Sequence, residues 1–88
     1  MARHLRARDI DAVLAYGGYE PSEFIDGDWD PGYRTAQDGR RQVNVFHDGP
    51  GEQDALKRYR LALQTAGYCV IPDQMDRGGR RRLHITRP

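Results

Sequence analysis

Apolar residues recur along residues 51–66 at the spacing of a helix. Ala55, Leu56, Tyr59, Ala62, Leu63 and Ala66 form one stripe at a period of 3.6, and Lys57, Arg58, Arg60, Gln64 and Thr65 fill the rest of the circumference. Asp48-Gly49-Pro50-Gly51-Glu52 supplies a start, with acids at the positive end of the helix dipole, and Gly67 supplies a stop. A shorter stripe, Ile10, Val13 and Leu14, predicts a helix over 9–16, with Asp9 as its cap and Gly17-Gly18 as its end.

Between and after the helices the period changes to two. Tyr33 to Gln37 and Arg41 to His47 flank Asp38-Gly39, a hairpin signal. Tyr68 to Ile71 and Arg81 to Thr86 flank a longer connection containing Gly78-Gly79. In the last strand Leu83 and Ile85 share one face, leaving Arg82, His84 and Thr86 on the other.

The halves repeat weakly. Ala15-Tyr16-Gly17-Gly18-Tyr19 precedes a hairpin with Arg40-Arg41 on its return strand, and Thr65-Ala66-Gly67-Tyr68 precedes one with Arg80-Arg81-Arg82 at the same place. The expected fold class is α+β in the order α-β-β-α-β-β, with two helices on one face of a four-stranded antiparallel sheet. Read cyclically, this is a permuted ferredoxin-like order. A winged-helix-like arrangement is the alternative, although its helices must be adjacent and these are not.

Eighty-eight residues make one small domain, expected over 1–88 with 1–8 outside the ordered fold and 20–32 as an acidic loop. That loop holds Phe24, Ile25 and Trp29, which predict that it packs on the domain. The single cysteine, Cys69, excludes an intramolecular disulfide and reads as a small buried apolar residue. No apolar run reaches the roughly 18–20 residues of a membrane span, and the first residues lack the apolar segment of a signal peptide, so a cytoplasmic, non-membrane protein is expected.

The formal charge of +1 excludes a uniformly basic binder, but it hides a segregation. Glu20, Glu23, Asp26, Asp28 and Asp30 give residues 20–32 a charge of −5, while Arg77, Arg80, Arg81, Arg82 and Arg87 give residues 77–88 a charge of +5. Solvated surface alone accounts for such runs in many proteins. Two functional readings compete with it. In one, Arg77, Arg80, Arg81 and Arg82 meet nucleic-acid phosphates, supported by Arg58 and Arg60 on the helix, with Lys57 beside them. In the other, the acidic segment around Trp29, with Asp26, Asp28 and Asp30, is a protein-interaction element or drives homodimerisation.

The remaining motifs carry little chemistry. Asp26, Asp28 and Asp30 match positions 1, 3 and 5 of a calcium loop, but Pro31 and Gln37 replace its glycine and its bidentate glutamate. Cys69, His4, His47 and His84 match no zinc spacing, and His47 reads as a residue that fixes the turn before the helix. Gly49-Pro50-Gly51 resembles a phosphate cradle only until Asp48 and Glu52 are counted. Ser22 has no histidine near it, and the lone lysine has no acid two residues before it. Tyr33 and Phe46 are the only candidates to stack on bases. The expectation is a non-enzymatic regulatory or accessory binding domain with no cofactor and no metal. Its partner is a nucleic acid or a protein, with a homodimer as one form.

Overall fold

The computed structural model describes residues 4–74 and 79–88. Its elements are α1 (Ala7–Tyr16), β1 (Glu23–Ile25), β2 (Asp28–Asp30), β3 (Gly32–Gln37), β4 (Val43–Asp48), α2 (Glu52–Thr65), β5 (Cys69–Gln74) and β6 (Arg81–Thr86). β3 to β6 form an antiparallel sheet in the order β3-β4-β6-β5, and both helices pack on one face of it. This is the permuted ferredoxin-like α+β arrangement. The winged-helix alternative does not hold, because the helices lie side by side over a sheet. The 14 residues of α2 are too few and too polar to cross a membrane, and no helix of the described residues is long and apolar enough to do so.

The two halves end their helices alike. Tyr19 N–H bonds the Leu14 carbonyl at 3.1 Å, and Tyr68 N–H bonds the Leu63 carbonyl at 3.1 Å. Each closure turns through a left-handed glycine, Gly18 at φ 88° and Gly67 at φ 97°, a conformation that costs other residues steric strain. The return strands β4 and β6 then pair at the centre of the sheet. Leu14 and Leu63 both lie in the core, with Ile10, Leu56 and Tyr59 from the helices and Val43, Val45, Leu83 and Ile85 from the central strands.

Several expectations need correction. The N-terminal segment joins the fold from His4 onward: Leu5 is fully buried, and its N–H bonds the Arg40 carbonyl at 2.8 Å. α1 therefore starts at Ala7, with the Asp9 carboxylate accepting from the Arg6 N–H at 3.1 Å. Residues 38–42 form a wider loop, closed by the Asp38 N–H on the Gln42 carbonyl at 2.8 Å, so β4 begins at Val43 and Arg40-Arg41 precede it. Cys69 is exposed, because it lies on the solvent face of the edge strand β5. Tyr33 is buried and meets the Tyr59 ring edge-on at 6.2 Å between centroids, which removes it as a stacking platform.

The acidic segment is a hairpin and not an irregular loop. β1 and β2 pair with Glu23 opposite Asp30 and Ile25 opposite Asp28, leaving a two-residue turn at Asp26-Gly27. Both turn residues have positive φ, 52° and 85°, as a tight primed turn requires. The base of the hairpin lies against β3: Ser22 N–H bonds the Tyr33 carbonyl at 2.8 Å, and Tyr33 N–H bonds the Glu20 carbonyl at 3.0 Å. Gly32 is required at this crossing, since a Cβ there would lie 2.6 Å from Ser22 N.

Candidate anion-binding groove

Alternation along β6 divides the C-terminal arginines between the two faces of the sheet. Leu83 and Ile85 face the helices, so Arg81 faces them too; Arg82 and His84 face solvent on the other side. Arg77, the first arginine of the expected patch, lies outside the described residues.

On the solvent face the arginines are committed to acids of the same chain. Arg80 bonds Asp48 through Nη1 at 3.0 Å, Glu52 through Nε at 3.3 Å, and the His47 carbonyl through Nη2 at 2.6 Å. Arg34 Nε reaches the other Asp48 oxygen at 3.0 Å, and Ser22 Oγ donates to that same oxygen at 2.8 Å. Burial pushes the Asp48 carboxyl up, but these bonds from Ser22, Arg80 and Arg34, with the charge of Arg34, outweigh it and hold Asp48 below its ordinary value. Both guanidiniums lie over the Phe46 ring, Arg34 at 4.6 Å and Arg80 at 5.7 Å. Phe46 is therefore buried under cations of its own chain and presents no free face to a base.

Arg82 is paired as well, through Nη2 and Nε to Asp73 Oδ2 at 3.1 and 3.2 Å. His84 Nε2 lies 2.8 Å from the same oxygen, and its Nδ1 lies 2.7 Å from Asn44 Oδ1. The hydrogen bond with His84, then those from the Gln74 backbone and Arg82, hold Asp73 below the usual carboxylate value. With both ring nitrogens engaged, His84 has none left to act as a base toward Cys69 on the same face.

The helix side differs. Lys57 and Arg60 of α2, one turn apart, and Arg81 of β6 line one groove of about 560 Å³, with Gln53, Gln74 and Pro72, and the Arg82–Asp73 ion pair reaches its wall. Among the described residues none of these three cations has a carboxylate within ion-pair distance. Arg58, expected to join the same footprint, instead lines a separate groove between α1 and α2, with Val13, Tyr16 and Leu61. The structure thus brings three of the expected residues, Arg60, Arg81 and Arg82, to one groove with Lys57. It ties Arg80 and Arg82 into ion pairs and sets Arg58 apart.

The acids Asp26, Asp28 and Asp30 are all exposed on the β1–β2 hairpin. The Trp29 side chain, named with them as an interface anchor, lies outside the described residues. Asp28 and Asp30 lie on one side of strand β2, two residues apart, instead of encircling a point, which is not the geometry of a calcium loop. Comparison of the chain with protein-family models, with curated proteins and with solved structures finds no match.

Proposed function

We propose that the chain is a non-enzymatic binding module that engages nucleic-acid phosphates through the groove of Lys57, Arg60 and Arg81. The observation that carries this reading is the contrast between the two faces. Arg34, Arg80 and Arg82 are neutralised by acids of the same chain, whereas Lys57, Arg60 and Arg81 of the groove have no carboxylate partner among the described residues. Gln53 and Gln74 add amide donors at its rim, suited to phosphate oxygens.

Three cations make a small footprint. Neutralising three phosphates gives a slope of about −2.7 in log K against log salt, against about −5.4 for a six-arginine patch. Such a protein holds nucleic acid weakly by itself, in keeping with an accessory role beside a stronger binder. Fluorescence anisotropy with a labelled duplex and a labelled single strand, titrated from low to moderate salt, tests this. The expected result is binding at low salt with the shallower slope, abolished in Arg60→Glu/Arg81→Glu. No binding to either probe at low salt rejects the reading.

A further inference from the structure

One face of the β1–β2 hairpin is acidic by register. Glu23 lies directly opposite Asp30, and Asp28 is two residues from Asp30 on the same side. Like charges placed opposite one another destabilise a strand pair, and an isolated two-stranded hairpin is marginal to begin with. Among the described residues no cation lies within ion-pair distance of Glu20, Glu23, Asp26, Asp28 or Asp30. The hairpin therefore presents an uncompensated acidic face that a cationic surface would stabilise.

The same molecule carries that surface elsewhere. The hairpin is fastened at the β3 edge, through the Ser22–Tyr33 and Ser22–Asp48 bonds, while the groove opens between α2 and β5–β6 at the other edge of the sheet. We infer that the hairpin of one copy docks its Glu23, Asp28 and Asp30 carboxylates on Lys57, Arg60 and Arg81 of a second copy. Asp28 and Asp30 stand about 7 Å apart along a strand, a gap that the long side chains of Lys57 and Arg60, offset by about 4.5 Å of helix rise, are able to span. Donor and acceptor surfaces differ, so the contact is heterologous and links copies head to tail. It occupies the groove, so self-association and phosphate binding exclude one another. The inference rests on the reading of the groove as an anion site.

A charge swap tests it. One variant carries Glu23→Lys, Asp28→Lys and Asp30→Lys; the other carries Arg60→Glu and Arg81→Glu. All five positions are exposed, and circular dichroism verifies that both variants fold. In sedimentation velocity at low ionic strength, the wild-type chain is expected to associate and to dissociate as salt is raised. Each variant alone is expected to be monomeric, and their mixture to associate again. A mixture that stays monomeric, or wild-type association that persists in the groove variant, overturns the inference. Labelled-duplex binding by the wild-type chain, lost in the groove variant, together with no self-association, rejects the docking while leaving the phosphate reading intact. Duplex binding that is equal in the wild-type chain and the groove variant rejects the phosphate reading, and the charge swap alone then decides the docking.

Discussion

The contact between His47 and Tyr59 sets the hydrogen positions of the turn that joins β4 to α2. His47 Nε2 lies 3.1 Å from the Pro50 carbonyl, which can only accept, so Nε2 carries the proton. In that tautomer Nδ1 is the acceptor, and the Tyr59 hydroxyl donates to it at 2.8 Å. Burial, with the neighbouring Tyr19, Tyr33 and Asp48, pushes the Tyr59 phenol up to about 12, so the donor keeps its proton throughout the neutral range. One histidine thus ties the end of a central strand, the turn and the second turn of the helix together.

Tyr59→Phe keeps the ring and removes only the donor. His47 Nδ1 is then buried without a partner, at a cost of about 1–3 kcal/mol. For a domain of this size each kcal/mol lowers Tm by about 4–8 °C. Thermal unfolding followed by circular dichroism measures the loss. A Tm equal to that of the wild-type chain would mean that water satisfies Nδ1 and that the bond contributes nothing.

Asp48 sets the response to acid. Its folded-state pKa is lowered, so its contribution to stability is complete above the unfolded value of about 3.9 and disappears as pH falls through the folded value. Asp48→Asn should destabilise the protein at pH 7 and flatten the fall in stability below about pH 4. Some decline remains, because Asp73 is shifted in the same direction by His84. Urea midpoints at pH 7, 4 and 3 check this. Parallel pH profiles for the two proteins would show that Asp48 is not the group responsible.

Neighbouring arginines on β6 should separate by role. Arg82→Ala removes an internal partner of Asp73 and should lower stability, while reducing phosphate affinity less than loss of the unpaired Arg81 does. Arg81→Ala removes a groove cation and should leave stability within about 0.5 kcal/mol. It should also reduce the salt slope of duplex binding by about 1. Denaturant unfolding and anisotropy on the same two variants read both quantities. Equal effects on affinity would place the phosphate contact on the solvent face or across both.

The apolar stripe of α2 and the alternation of β3 to β6 were legible because each follows a short-range period that one face of the core enforces. The β1–β2 hairpin was obscured by two prolines and five acids, which resemble a loop. Its signal was Asp26-Gly27, the same dipeptide as Asp38-Gly39. Of the two, Asp26-Gly27 makes the tight turn, whereas Asp38-Gly39 lies in the wider 38–42 loop closed by the Asp38–Gln42 backbone bond. At the groove, the pattern that puts Leu83 and Ile85 inward already separates Arg81 from Arg80 and Arg82. That Arg80 is neutralised follows from its proximity to Asp48 and Glu52, about 30 residues away in sequence. Only the pairing of β4 with β6 creates that proximity, so no local pattern announces it.

Pro72 guards the open edge of the sheet. Among the described residues β5 pairs with β6 alone, whereas the opposite edge, β3, is bonded by Glu20 and Ser22. Proline in the middle of an edge strand removes a donor that an incoming strand would need, and it is tolerated there because the missing N–H costs the sheet nothing. Exposed Ile71 and Cys69 beside it would otherwise make this edge adhesive. Pro72→Val restores the N–H and adds a β-branched side chain suited to strands. The variant should associate through backbone pairing, and high salt should not reverse it, unlike a contact between the acidic hairpin and the groove. Light scattering under reducing conditions, at low and high salt, distinguishes the two. A variant that matches the wild-type chain in mass at both salts would show that the edge is protected by something other than Pro72.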